Sequence, residues 1–304
     1  MTLFPLLSSL AASLAVLSGV RGAAAAPTSK GCGLRQDFAG ATREFNMDSG
    51  GHRRTYQVHL PAGYDAAKPT PLLLAYHGKG KLVGVFEAET RFSDESVNPD
   101  MITVYPVGFN ASWQGAPYAA HGVDDVAFSM DLVARLQDQF CVDESRVYAT
   151  GHSNGAGFCD VLACSAQAGP RFAAFAPISG AFYTAYHSDD ECHAASVPLP
   201  MLEVHGTGDM QIPYEGRKAG GHGPLLSIPA WVAAWARRNG CDAPETSDSG
   251  HGIHDSRYQC RGVADALEHI KVDGMGHAWP LPGSRLGDVS TRVLAFLRKH
   301  RRPQ

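Results

Sequence analysis

Apolar and polar positions along the chain follow two alternating periods. Thr55–Leu60 (TYQVHL) alternates polar and apolar residues, as a half-exposed strand does. Leu72–Tyr76 (LLLAY) and Met101–Tyr105 (MITVY) are continuous apolar runs of the kind found in strands covered on both faces. Arg146–Thr150, Phe172–Ile178, Met201–His205 and Leu267–Val272 are further short strands. Between strands the period lengthens. Val126, Met130, Val133, Leu136 or Gln137, and Phe140 recur at helical spacing over residues 123–140. Asn154–Ser165 suits a helix. Another follows Ser227, passes Trp231 and Trp235, and stops at Gly240. A last one is capped by Asp288 and carries Val289, Val293, Phe296 and Leu297. Alternation of strands and helices predicts an α/β fold with a mostly parallel central sheet and helices on both faces.

Composition narrows the class. The chain has 304 residues, 44% hydrophobic and 18% charged, with a net charge of −4. Those values suit a globular domain with a sizeable core and are of the wrong sign for a dedicated nucleic-acid binder. No 20-to-50-residue repeat is present. An apolar stretch from about Leu6 to Val20, followed by small residues and Ala24–Ala26, reads as a secretory signal peptide cleaved after Gly22 or Ala26. Residues 27–304 then form a single catalytic domain, with no linker to an appended carbohydrate-binding module, expected to act as a monomer away from membranes. Seven cysteines lie beyond the leader, none spaced as Cys-x-x-Cys. In an oxidising compartment most should pair. Cys241 and Cys260 flank a polar loop and are the first pair expected; Cys159, inside a helix, is the expected free thiol.

The chemistry centres on Gly151-His152-Ser153-Asn154-Gly155. It fits Gly-x-Ser-x-Gly between a strand and a helix, where a strained turn exposes the serine Oγ. A serine needs a general base oriented by a carboxylate, here in the chain order nucleophile, acid, histidine. Asp209 leaves the strand Met201–His205 through glycines and is the expected acid. Asp189 and Asp190 follow no strand, and Asp124 and Asp125 precede the serine and better serve a helix N-terminus. His277, in Gly276-His277-Ala278-Trp279-Pro280 after the last strand, is the expected base. Two backbone N–H groups should hold the oxyanion: that of Asn154, and one from His77-Gly78-Lys79-Gly80, assigned to Lys79 with Gly78 the alternative. This chemistry needs neither metal nor organic cofactor. His77, Trp113, Tyr183, Tyr214 and Trp279 are candidate substrate contacts, part of an aromatic rim that also includes Tyr118 and Tyr186. Asn110-Ala111-Ser112 is a glycosylation acceptor.

With these motifs the chain resembles fungal feruloyl esterases of carbohydrate esterase family 1, close to types C and D, on the polyhydroxybutyrate depolymerase-like branch of the α/β-hydrolases. The resemblance spans about residues 31–300. It is carried by Tyr76–Lys81, Trp113–Gly115, Gly122–Val126, Phe140–Asp143, Tyr148–Gly155, Arg171–Tyr183, His205–Tyr214 and Gly276–Pro280. It implies Ser153, Asp209 and His277 as triad, and a secreted enzyme that releases ferulate from feruloylated arabinoxylan or small feruloyl esters. His152 stands where those esterases frequently carry lysine, and Ala156 where a further glycine is frequent. His152 also occurs in the depolymerase-like relatives. An acetylxylan esterase or polyester depolymerase with the same triad is therefore the alternative.

Overall fold

The computed structural model describes residues 1, 28–186, 192–194, 198–220 and 222–302. The rest of the expected leader and the pair Asp189–Asp190 lie outside this set. The described chain builds one ten-stranded sheet and five α-helices. β1 (Ala41–Ser49) and β2 (His52–Leu60) form a hairpin. Its turn is Gly50-Gly51, both at positive φ, which matches the right-handed twist of paired strands. β3 (Thr70–Tyr76), β4 (Ile102–Pro106), β5 (Val142–His152), β6 (Ala174–Ile178) and β7 (Met201–Gly206) follow. A second antiparallel group, β8 (Glu245–Asp248), β9 (Ile253–Cys260) and β10 (Val263–Val272), completes the sheet. Strand order is β1-β2-β4-β3-β5-β6-β7-β10-β9-β8. From β4 to β10 every pairing is parallel; the outer ones are antiparallel.

Two cores lie on opposite faces. Along β3, Leu72, Leu74 and Tyr76 point into one, Leu73 and Ala75 into the other, the period-two alternation of a strand buried on both sides. The first core is closed by α2 (Asp125–Gln139), α3 (Asn154–Cys164) and α4 (Ile228–Asn239); the second by α1 (Val83–Thr90) and α5 (Val289–Arg298). Asp124, Ser227 and Asp288 cap α2, α4 and α5 by accepting N–H bonds from Ala127, Ala230 and Ser290. The buried stripe of α2 runs through Phe128, Leu132 and Leu136 with Val133, while Val126 and Met130 are only partly buried. That face is rotated from the expected one because Asp125 turns inward, where it pairs with the buried Arg54 at 2.7 Å.

Cysteines 32 and 141, 164 and 192, and 241 and 260 are disulfide-bonded. Cys159 is free and buried in α3. No helix among the described residues is long and apolar enough to cross a membrane.

Candidate active site

The end of β5 enters a turn that only close packing can hold. Ser153 has φ 57° and ψ −118°, a conformation that costs roughly 1–3 kcal/mol in a non-glycine residue. Its N–H donates to the Ile178 carbonyl at 3.1 Å, and its carbonyl accepts from Gly157 at 3.0 Å and Ala181 at 3.1 Å. A Cβ on Gly155 would sit 2.1 Å from the Tyr76 oxygen and 2.6 Å from the His77 oxygen. The start of α3 is thus pressed onto the end of β3, and only glycine fits between. The turn leaves Ser153 half-exposed at the helix N-terminus. Asn154 N–H is among the first four of α3, which have no intrahelical acceptor. The loop after β3 runs along the same spot: a Cβ on Gly78 would lie 3.3 Å from the Ser153 Cβ. Lys79 and its N–H follow immediately, and its Nζ stands 3.9 Å from the centre of the Tyr118 ring.

The other half of the site comes from β7 and β10, parallel neighbours whose C-terminal loops are side by side. Gly206 permits their contact, since a Cβ there would lie 1.9 Å from the Met275 oxygen. His277 Nδ1–H donates to Asp209 Oδ2 at 2.6 Å, while Asp209 Oδ1 accepts from Gln211 N–H at 2.9 Å and Ile212 N–H at 2.8 Å. Burial opposes the charge on Asp209, yet hydrogen bonds from His205, His277 and Ile212 hold its carboxyl well below the usual range. In a neutral His277 ring whose Nδ1 donates, the lone pair lies on Nε2. The His152 ring lies against that of His277, with centroids 4.8 Å apart. Burial, then the neighbouring His277, pushes His152 well below the ordinary histidine value, so it stays neutral.

Ser153 and His277 line one cleft of about 340 Å³ with Gly78, Lys79, Lys81, Tyr118, His152, Tyr183, Gln211, Ile212, Arg217 and His222. A larger cavity, about 440 Å³, lies beside it between Gln114–Val123 and Tyr183–Ala185. Tyr183 is the wall common to both.

The candidate aromatic contacts separate sharply. Tyr183 reaches the cleft, whereas His77, Trp113, Tyr214 and Trp279 do not line it. His77 is buried, accepts the Gly108 N–H at Nε2 and donates from Nδ1 to the Gly78 carbonyl, so it shapes the loop after β3 from behind. Trp113 is buried, stacks on Phe158 and donates to the His77 carbonyl at 2.9 Å. Trp279 packs edge-on to Phe86 and Phe92 and donates to Ser290 Oγ. Tyr214 spends its hydroxyl on His269 Nε2 at 2.9 Å. The two indoles, Trp113 and Trp279, are buried in the two cores rather than the cleft. Asn110 is exposed, in a one-turn 3-10 helix.

Sequence reasoning missed the group behind Asp209. His205 and Glu203 are fully buried on one face of β7, with Nδ1 of His205 2.9 Å from Glu203 Oε1. The signal was in Met-Leu-Glu-Val-His: titratable residues at i and i+2 inside an apolar strand, facing another histidine in Glu268-His269-Ile270.

No family model matches the chain. A curated relative, feruloyl esterase D of Neurospora crassa, is 30% identical over 208 residues, covering 64% of this chain and 67% of its own length. This chain belongs to the feruloyl esterase family. A probable feruloyl esterase C of Aspergillus flavus is 28% identical over 279 residues, covering 88% of the chain and 89% of the relative. Among solved structures, the acetyl xylan esterase from Aspergillus awamori superposes with a TM-score of 0.60 at 17% identity, over 84% of this chain and 99% of that one. That likeness establishes the α/β-hydrolase fold. The esterase is a carboxylic ester hydrolase of the carbohydrate esterase kind.

Proposed function

We propose that this esterase is secreted and releases ferulate from feruloylated arabinoxylan through a Ser153–His277–Asp209 acyl-enzyme mechanism. The observation that carries the reading is the 2.6 Å bond between His277 Nδ1 and Asp209 Oδ2 at the cleft that also holds the strained Ser153. His277 Nε2 takes the Ser153 proton as Oγ attacks the ester carbonyl. The developing oxyanion is held by the N–H groups of Asn154 and Lys79, each such donor worth about 3–4 kcal/mol in the transition state. His277 then protonates the departing sugar alkoxide. Water, deprotonated by the same ring, cleaves the acyl-enzyme and frees ferulate. The Tyr183 and Tyr118 rings, set edge to face, supply apolar surface for a cinnamoyl ring.

The test is ferulate release from methyl ferulate and from feruloylated arabinoxylan by wild type and Ser153→Ala. Release by the wild type, with kcat reduced roughly 10⁴-fold or more in the variant, is the expected result. Near-full activity in Ser153→Ala removes the triad. Cleavage of p-nitrophenyl acetate without ferulate release keeps the triad and moves the substrate to acetyl or other small acyl esters, the reading His152 favours.

A further inference from the structure

Behind the acid of the site runs a line of buried titratable groups that the mechanism does not use. His277 Nδ1 meets Asp209 Oδ2, and His205 Nε2 lies 3.4 Å from that same oxygen. His205 Nδ1 is 2.9 Å from Glu203 Oε1, and His269 Nδ1 is 2.8 Å from Glu203 Oε2. The Tyr214 hydroxyl ends the line at His269 Nε2.

The protonation of His205 follows from its neighbours. Nδ1 faces a carboxylate oxygen. Nε2 faces the Ile212 carbonyl at 2.9 Å and the Asp209 carboxylate. With Glu203 and Asp209 ionised each of these atoms accepts, so both ring nitrogens donate and the ring is an imidazolium. Burial would pull such a ring toward neutrality. The Asp209 and Glu203 carboxylates outweigh it and push His205 up to about 10. Burial likewise opposes the Glu203 charge, but His205 and His269 keep its carboxyl below the ordinary value. Other titratable groups near the line are His152 on the β5 side and, across Tyr214, Tyr258 of β9 with Glu215 and Asp273.

We propose that His205, paired with Glu203, is a positioning residue that fixes Asp209 and sets the acid limit of the enzyme's activity. The proposal rests on the triad reading. Asp209 Oδ2 serves two imidazoles at once. When His277 gains a proton during catalysis, the fixed positive charge of His205 competes for the same oxygen. An Asp209 shared between two imidazoles holds the His277 ring less strongly than one that serves it alone. Glu203 balances His205, so that the strand buries a pair rather than a lone cation.

The experiment compares wild type, Glu203→Gln/His205→Gln and Ser153→Ala by pH profiles of kcat and kcat/KM on methyl ferulate. The double variant removes both charges of the pair and retains hydrogen-bonding side chains. It should lower kcat three- to tenfold with KM unchanged, and move the acid limb of kcat/KM upward by about 0.5–1 pH unit. A folded double variant whose profile superimposes on wild type, or whose limb moves down, overturns the proposal. Histidine-selective ¹⁵N NMR of the wild type at pH 8 gives a second reading that depends neither on the variant's folding nor on Ser153. Two protonated ring nitrogens on His205 are expected, and a neutral ring overturns the proposal even if the variant does not fold. Full activity in Ser153→Ala would instead sink the triad while the NMR result still decides the charge of His205.

Discussion

The two halves of the site are held by different physics. Ser153 and the loop after β3 are kept in place by backbone meeting backbone. Gly155 closes on the Tyr76 and His77 carbonyls, Gly78 runs beside the Ser153 Cβ, and no charge is involved. Asp209 and His277 are kept in place by charge, through Asp209's three hydrogen-bond donors, the His205 ring 3.4 Å from its Oδ2 and the buried His205–Glu203 pair. Shape is unforgiving of volume but indifferent to pH. Charge tolerates a small change in volume but depends on every proton.

The sharpest way to break the charged half is Asp209→Asn. The change keeps volume and loses the carboxylate that selects the His277 tautomer, so kcat on methyl ferulate should fall about 10⁴-fold with the fold intact by circular dichroism. A fall of less than tenfold would mean that Asp209 does not orient the base. The shape half breaks differently. Gly155→Ala adds one methyl 2.1 Å from a carbonyl oxygen, and something must shift. Stability should drop by roughly 3 kcal/mol or more, read as a lower urea midpoint, at every pH tested. A midpoint within error of wild type would show that α3 can slide on β3. The smallest effect comes from a histidine whose buried ring nitrogen has no carboxylate bonded to it. His300 is buried beside Phe296, and its Nε2 has no hydrogen-bond partner among the described residues. Burial, then Lys299, lowers it from 6.5 to about 4, the opposite of His205. Below pH 6.5 the unfolded chain takes up a proton that the folded state refuses until about pH 4, so stability falls over that window. His300→Gln should lose a few degrees less in Tm than wild type between pH 7 and pH 4.5. Equal losses would remove His300 as a source of acid sensitivity.

The same contrast explains what could be read from sequence. The elbow is legible because its constraints are local: glycines two residues either side of one serine. The order of Ser153, Asp209 and His277 follows from strands whose apolar runs are unmistakable. The charged line is assembled from β7, β10 and two loops, and no window of sequence contains it. β1 escaped notice because an edge strand with one face in water, ATREFNMDS, lacks an apolar run. β8 is exposed throughout. α1 carries Val83, Val85 and Phe86 without a clear apolar stripe, and the contacts of Phe86 with Trp279 hold it on the sheet. Tyr118 and Tyr183 of the aromatic rim line the cleft, and His77, Trp113, Tyr214 and Trp279 do not, for a related reason. A ring after a strand is equally suited to cleft and core, and Trp113 and Trp279 found indole partners inside.

Cys159 turns the elbow into something that can be timed. Its thiol is fully enclosed in α3, six positions beyond Ser153, and burial pushes it well above the usual thiol value. A thiol-specific reagent reaches it only when α3 lifts from the sheet, and that same motion dismantles the turn at Ser153. The rate of labelling in native buffer is thus a clock for how often the support of Ser153 comes apart. It can be read with no substrate present.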